Sequence, residues 1–349
     1  MSIRTNLIKI GWDLGGAHIK YCVESQASNI IWYDIIHFDF WKDYSKLSAL
    51  IRGICKQYHK KGSLIENYFT MSAEMCDCFD NRRDGVKYIL NQIKKIKYSS
   101  YIFSKSGLSK LDNKYKIYPD KVGSYNWYAS ALYISTLIDN VILIDFGSTT
   151  CDFSIIKNGK ILNKRTSDID GMLTGELLYT GCSRTPIYAH INQIRFGNRI
   201  YNIIPENFSS MSDVNIILGK LNKQDVYSKS SDGSNHSLLQ SYKRICRSFG
   251  FDYNSSMKKL VNHLCLKIYD AQVDLINKTL SLHCHKYFRD SKYNIVGLGL
   301  GSKIIMNMCK QNRYDYIDVR DILNDTIVNG DYLSNLFPAF VLNRLSNEL

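Results

Sequence analysis

Two strand-like runs in this chain each end in an aspartate followed by a glycine-rich turn. The first is Ile8-Lys-Ile-Gly-Trp-Asp13-Leu-Gly15-Gly16-Ala17-His18-Ile19-Lys20, and the second is Val141-Ile-Leu-Ile-Asp145-Phe-Gly147-Ser148-Thr149-Thr150-Cys-Asp152. An apolar run reads as a buried strand. A Gly-Ser-Thr-Thr turn after it can bring backbone N–H groups and hydroxyls up to a phosphate, with the carboxylate placed to hold a metal ion. Finding the same device twice, in different parts of the chain, points to a duplicated fold that clamps a phosphorylated ligand between its halves.

With 349 residues the chain can build two domains with proper cores. It has no uninterrupted apolar run long enough for a membrane-spanning helix, and its first residues enter strand-like sequence without a signal core. We therefore expect a cytoplasmic protein with no membrane partner. The ten cysteines have scattered spacings, unlike a disulfide framework. Cys76-Asp-Cys78 and His283-Cys284-His285 lack the paired spacing of a zinc site and read as structural. The formal charge of +13 comes from lysines spread along the whole chain, with no Arg-rich run or aromatic-interleaved signature, so no nucleic-acid partner is expected. An anionic small substrate suits that charge.

Along the chain, hairpin strands are expected over residues 1–40, then a helix over Ser45–Lys60 with Leu47, Leu50, Ile51 and Ile54 on one face. A strand at Tyr68–Ser72, a helix at Gly85–Ile96, a strand at Lys97–Phe103 and a helix at Asn126–Leu137 follow. Beyond Asp145, the runs Thr150–Lys157 and Lys160–Thr166 read as a meander joined at Asn158-Gly159. Asp168–Arg184 reads as a polar, Gly-rich stretch, residues 213–290 as a helical insertion, and Phe337–Leu345 as a last helix. The fold class is α/β, with duplicated mixed-sheet domains over residues 1–138 and 139–349.

Each candidate site residue has a functional and a bland reading. Gly15 and Gly16 permit close backbone approach, Lys20 adds charge, and Asp13 could hold Mg²⁺; a plain Gly-Gly hairpin is the alternative. Asp145, Gly147, Ser148, Thr149 and Thr150 form the stronger phosphate turn. Gly297, Gly299 and Gly301 lie between a strand and a helix, where a nucleotide or substrate could pack, or where a tight turn simply needs glycine. Arg184 suits a phosphate or carboxylate, and Tyr179 and Glu176 stand in the same polar cluster. Glu74 and Asp77 follow a strand as candidate general bases, although Asp77 could instead cap the next helix.

Asp13-Leu-Gly-Gly, Asp145-Phe-Gly-Ser-Thr-Thr and Gly297-Leu-Gly-Leu-Gly together resemble the acetate and sugar kinase, Hsc70 and actin superfamily, whose actin-like fold has two lobes. More narrowly, the chain resembles the hydantoinase/oxoprolinase-related proteins of the tetrahydromethanopterin-linked C1-transfer pathway. The residues carrying this are Gly11–Ala17, Met71–Phe79 with Asp84-Gly-Val86, Asn126-Trp127-Tyr-Ala129, Ile144–Asp152, Thr174-Gly-Glu-Leu-Leu-Tyr-Thr-Gly181 with Arg184-Thr-Pro186, Glu206-Asn-Phe208 with Asp213, and Phe337-Pro-Ala339.

The resemblance implies an enzyme of methanofuran-type biosynthesis. It would transfer a furanylmethyl group from a pyrophosphate ester to the amine of a tyramine-type acceptor, with Mg²⁺ held by Asp13 and Asp145. Asp13, Asp145, Glu74, Asp77 and Glu176 are then the candidate catalytic residues, and Asn126, Trp127 and Tyr179 line the substrate pocket. The chain departs from the expected pattern at Ile19, where a threonine is expected, at Gly171-Met172, which lack an expected positive group, and at Ser234, where an arginine is expected. The rival readings are an ATP-dependent kinase or oxoprolinase-like hydrolase, with ATP bound near Gly297–Gly301, and a non-catalytic actin-like assembly protein. ATP is the less favoured ligand, and the oligomeric state is left open.

Overall fold

The first two strands, Asn6–Leu14 and His18–Ser25, are buried along most of their length, and turns at Gly15-Gly16 and Asn158-Gly159 close the hairpins. A computed structural model describes residues 6–25, 30–60, 62–112, 118–323 and 332–348; the predicted strand residues 1–5 and 26–29 lie outside them. In chain order the first elements are β1 (Asn6–Leu14), β2 (His18–Ser25), β3 (Ile30–His37), α1 (Phe40–Asp43), α2 (Leu47–Tyr58), β4 (Ser63–Met71), α3 (Arg82–Lys94), β5 (Ser99–Ser104), β6 (Gly107–Lys110) and α4 (Asn126–Ser135). After them come β7 (Val141–Phe146), β8 (Cys151–Lys157), β9 (Lys160–Ile161), α5 (Asp168–Thr174), β10 (Leu177–Leu178), β11 (Gln193–Phe196), β12 (Arg199–Asn202), α6 (Met211–Ile217), α7 (Leu238–Ser248) and α8 (Lys258–Tyr287). The chain closes with β13 (Asn294–Leu298), α9 (Ser302–Asn312), β14 (Tyr316–Ile317), α10 (Val319–Leu323) and α11 (Leu333–Leu345).

The chain divides into two compact units, one of residues 1–138 with 324–349 and one of residues 139–323. In the first, the sheet runs β3-β2-β1-β4-β5-β6. β1 and β2 form an antiparallel hairpin, and β4 lies parallel to β1. In the second, the order is β10-β8-β7-β13-β14, again with an antiparallel hairpin (β7, β8) and a parallel neighbour (β13) on its other side. The two mixed sheets thus repeat one topology, as expected of the actin-like α/β fold. In unit 1 the link from hairpin sheet to parallel strand is short, through α2. In unit 2 the same link holds the β11–β12 ribbon and helices α6, α7 and α8, which share a core of their own around Met211, Val214, Ile245, Leu264 and Ile268.

Unit 1 packs Leu47, Ile51, Ile54 and Cys55 of α2 and Val86, Ile89, Leu90 and Ile93 of α3 against its sheet. Trp12 is fully buried between Tyr21 and Phe69, with ring centroids 5.2 and 5.8 Å away, and its Nε1 donates to Asn67 Oδ1 at 3.0 Å. A buried indole needs such a partner. Helix α3 is capped by Asn81, whose Oδ1 accepts the Asp84 N–H at 3.0 Å; Asp77, the expected alternative cap, does not do this.

Two expectations are corrected here. The tail, placed by sequence with the second domain, belongs to unit 1: α11 is buried along most of its length, Leu336, Phe337, Ala339, Phe340, Val341 and Leu342 included. A helix so apolar must be covered on most sides, and β1, β2, β4 and α4 of unit 1 cover this one. The approach is close enough that a Cβ on Gly11 would lie 1.9 Å from the Ala339 carbonyl oxygen. Asn343 Nδ2 donates to Cys22 O at 3.0 Å and fastens the helix to β2. Secondly, the third meander strand is only Lys160–Ile161. Asn163 then replaces the ladder with its side chain, its Oδ1 accepting from Ile155 N at 2.7 Å and its Nδ2 donating to Phe153 O at 2.8 Å. The polar stretch after it contains a short helix, α5, capped by Ser167 and ended by Gly175 at φ 72°.

Gly11→Val should push α11 off the sheet and cost about 1–3 kcal/mol, as overpacking does. A chemical-denaturation midpoint unchanged from that of the parent protein would show that the contact is not needed.

Candidate functional site

In unit 1 the turn between β1 and β2 is closed by the Gly15 N–H donating to His18 O at 3.0 Å. Neither glycine of the turn tolerates a side chain in place: a Cβ on Gly15 would sit 2.8 Å from His18 O, and one on Gly16 2.9 Å from Cys76 Sγ. Asp13 stands opposite Lys20 across the hairpin and opposite Thr70 of β4. Lys20 Nζ is 3.8 Å from Asp13 Oδ2, while Asp13 Oδ1 and Thr70 Oγ1 are buried without a hydrogen-bond partner. Burial pushes the Asp13 carboxyl above its usual range, and Lys20 opposes that shift. Lys20 is therefore engaged with Asp13. Ile19, where a threonine is expected, is fully buried in the core opposite Leu14, so this position does not carry a hydroxyl to the turn's ligand.

Glu74, Asn126 and Trp127 are in the same unit. Glu74 is fully buried. Its Oε1 accepts from Ser124 Oγ at 2.5 Å and lies 3.5 Å from Arg82 Nε. Arg82 Nη2 donates to Gly123 O at 2.5 Å. A carboxylate so enclosed anchors residues 123–124, just before α4 begins at Asn126, and Trp127 is buried against Tyr128 at 5.5 Å. Asp77 is exposed.

In unit 2 the turn between β7 and β8 is closed by Gly147 N–H to Thr150 O at 2.9 Å. Residues Gly147, Ser148, Thr149 and Thr150 are half-exposed. The segment 181–184 lies directly on this turn: Cys182 N–H donates to Gly147 O at 3.0 Å and Arg184 N–H to Ser148 O at 2.9 Å. A Cβ on Gly181 would be 2.1 Å from Ser148 O. The Arg184 backbone is thus part of the turn while its side chain is exposed. Gly299, at φ 78°, brings its backbone to Asp145, where a Cβ would lie 2.5 Å from Oδ1; a Cβ on Gly301 would strike Phe146 at 2.2 Å, and one on Gly297 would crowd Ile305 and Tyr316. Close packing alone therefore accounts for the three glycines, and Gly299 belongs with the Asp145 turn.

The strands separate Glu176 from Asp145. Asp145 pairs across the hairpin with Asp152, and Asp152 pairs with Leu177. Successive strand residues face opposite sides, so Glu176 turns to the face of Phe153, near His283 of α8. Tyr179 is exposed and bonds Asp168 Oδ2 at 2.5 Å.

Several supporting residues escaped the sequence reading because their partners are distant in the chain. Gln272 of α8 is fully buried and donates from Nε2 to Thr180 Oγ1 at 2.8 Å and to Gly181 O at 2.9 Å. Asn215 of α6 donates to Cys182 O at 2.7 Å. His190 Nε2 lies 3.3 Å from Thr180 Oγ1, and burial pushes its pKa down to about 4. Arg165 takes the place of the positive group expected at Gly171-Met172: a Cβ on Gly171 would lie 3.2 Å from Arg165 Nη1. Arg244 plays a similar part at Ser234, with Nη1 2.7 Å from Ser234 Oγ and Nη2 2.7 Å from Asp213 Oδ1, in a fully buried ion pair. No group of three or more His, Cys, Asp or Glu is placed to hold a metal ion among the described residues, and none of their helices is long and apolar enough to cross a membrane.

Two predictions follow from the buried ionisable groups. The raised Asp13 value means that the fold holds this proton more tightly than the unfolded chain, so the group's contribution turns unfavourable as pH climbs past 3.8. Asp13→Asn should thus raise the thermal midpoint at neutral pH; a lowered midpoint would mean that the attraction of Lys20 dominates. For His190 the sign is opposite. Its folded value is depressed, so its share of stability is present above pH 6.5 and is lost as pH falls through about 4. His190→Asn should flatten the stability profile across that window, as read by denaturant titrations along the pH axis.

Residues 67–323 match the family model described as hydantoinase/oxoprolinase. A curated protein of Methanocaldococcus jannaschii, (4-{4-[2-(gamma-L-glutamylamino)ethyl]phenoxymethyl}furan-2-yl)methanamine synthase, is 28% identical over 342 residues, covering 96% of each chain. The synthase of the same name from Methanococcus vannielii is 31% identical over 225 residues, covering 63% of this chain and 97% of its own. Among solved structures, nucleotide-free acetone carboxylase superposes with a TM-score of 0.57 at 10% identity, covering 97% of this chain and 70% of that one, a likeness of fold.

Proposed function

We propose that this chain, which belongs to the hydantoinase/oxoprolinase family, is a transferase that joins a furanylmethyl unit, carried as its pyrophosphate ester, to a tyramine-type acceptor in making a methanofuran-like one-carbon carrier. The observation that carries this reading is the match to the M. jannaschii synthase along 96% of both chains, which takes in both Asp–Gly turns. The product of that relative refines the chemistry. Its furan bears a phenoxymethyl group, and the ethyl-linked nitrogen bears the glutamyl group. The bond to be formed is therefore an aryl ether, and the acceptor atom is the phenol oxygen, in place of the amine nitrogen expected from sequence.

In this reaction the methylene–oxygen bond to pyrophosphate breaks, and its electron pair leaves with the pyrophosphate. The furan oxygen stabilises the positive charge left on the methylene carbon. The phenol oxygen then bonds to that carbon, and its proton passes to the released pyrophosphate, which is itself a base. The protein's main task is to stabilise the leaving charge. The backbone N–H groups of Gly16 and of Ser148–Thr150, the hydroxyls of Ser148 and Thr149, and the Arg184 side chain are of the right type for this. No protein base is required, which suits the enclosed position of Glu74, the exposure of Asp77 and the turning away of Glu176.

Mg²⁺ suits the oxygen-only donors of these turns. In unit 1, Asp13 offers a buried Oδ1 without a hydrogen-bond partner, and in unit 2, Asp145 stands half-buried at the end of β7. Bound there, the ion would neutralise the pyrophosphate as it leaves.

The test is turnover of a furanylmethyl pyrophosphate with an N-acylated tyramine, with product and pyrophosphate measured together. Asp145→Asn should lower kcat/KM by roughly a hundredfold or more. An acceptor methylated on its phenol oxygen should give no product. Product from that blocked acceptor would overturn the assignment of the oxygen, and a requirement for ATP would favour the kinase or hydrolase reading.

A further inference from the structure

The β7–β8 hairpin carries an ion pair that sequence order hides. Asp152 lies directly opposite Asp145, so the hairpin sets two carboxylates on one face of the sheet. Its Oδ1 accepts from Arg165 Nη2 at 2.5 Å. The Arg165 side chain is 4% exposed, lies over Gly171 and also donates from Nη1 to Glu176 O at 3.2 Å. The other oxygen, Asp152 Oδ2, is 3.2 Å from Thr150 Oγ1, the last hydroxyl of the turn. The β1–β2 hairpin is built differently: opposite Asp13 it places Lys20, a cation.

We infer that the Arg165–Asp152 pair is a positioning device that fixes the Thr150 hydroxyl as an electron-pair donor, so that Thr150 is a ligand for the divalent cation accompanying the pyrophosphate and not a hydrogen-bond donor to the phosphate itself. The argument is one of proton inventory. A guanidinium keeps its charge in proteins, and an ionised carboxylate can only accept hydrogen bonds. Thr150 must therefore be the donor in its bond to Asp152. A hydroxyl has one proton, so what remains to face the turn's ligand is lone pairs. A phosphate oxygen is an acceptor and gains nothing from them. A hard divalent cation does, and hydroxyl oxygen is among the ligands it takes. Ser148 and Thr149 are left as the hydroxyls of this turn that can donate to phosphate. Asp152 and Arg165 act through Thr150, without touching substrate.

This inference rests on the phosphate-handling reading above, and its test separates the two. Binding of Mn²⁺ alone, read by water-proton relaxation, and of Cd²⁺ alone, read by calorimetry, is compared in the parent protein, Thr150→Cys, Thr150→Val and Asp152→Asn, each checked for an unchanged thermal midpoint. Thr150→Cys should shift the preference from Mn²⁺ toward Cd²⁺ by roughly tenfold or more, because a thiolate is a soft ligand. Thr150→Val and Asp152→Asn should each weaken Mn²⁺ by roughly tenfold or more, and Arg165→Lys should weaken it less than Asp152→Asn. A Thr150→Cys protein with the parent's metal preference, a Thr150→Val protein with full Mn²⁺ affinity, or a parent protein that binds no Mn²⁺ would overturn the inference. The ether-forming turnover, measured separately, judges the transferase reading alone. Turnover with no effect of Thr150 on the cation sinks only this inference, and a shifted metal preference without turnover sinks only the transferase.

Discussion

Gly181 lies so close over Ser148 that any side chain would occupy the space of the Ser148 carbonyl. This backbone-on-backbone contact sets the shape of the second turn. From it follow the two hydrogen bonds that tie the backbone of Cys182 and Arg184 to Gly147 and Ser148. The contact in turn depends on the helical insertion. Gln272 of α8 and Asn215 of α6 hold the 180–182 segment by its carbonyls and by the Thr180 hydroxyl. A buried amide that loses such a bond leaves an unsatisfied group behind, at about 1–3 kcal/mol. The insertion is thus the backing of the turn as well as a separate small core.

The two hairpins share topology but differ in charge. In unit 1 the aspartate faces a lysine across the strands, and burial works against its ionisation. In unit 2 the aspartate faces a second carboxylate, which a buried arginine accompanies. The two hairpins are equivalent frames, and the residue opposite each aspartate sets the charge of each. Buried charges of this kind persist only when paired and hydrogen-bonded. The same requirement explains Arg244, which holds Asp213, Asp232 and Ser234 together at the base of a loop in the insertion.

The chemistry asked of this frame is modest. In the proposed transfer a furanylmethyl pyrophosphate would ionise with help from its own ring, so the protein would contribute charge stabilisation more than a strong base. That proposal asks no proton transfer of the three candidate carboxylates. Glu74 is enclosed by Ser124 and Arg82, Asp77 faces solvent, and Glu176 turns to the far face of its sheet.

Both Asp–Gly turns, the hairpins that carry them and the family were legible in the sequence, because each is a local pattern: apolar runs, an acid at a strand end and glycines where the backbone must turn tightly. The helices of unit 1 were legible for the same reason. What tertiary structure alone decided were the relations between distant residues. Alternation along β8 and β10, not the closeness of Glu176 to Tyr179 in sequence, determined which face Glu176 occupies. The apolar surface of α11 drew the tail back onto β1 of the first unit, where Gly11 makes room for it. Arg165 and Arg244 reach Gly171 and Ser234 from other segments of the chain. Local spacing encodes faces and turns; the partner of a buried charge is encoded only by packing, which brings together residues that no periodicity connects.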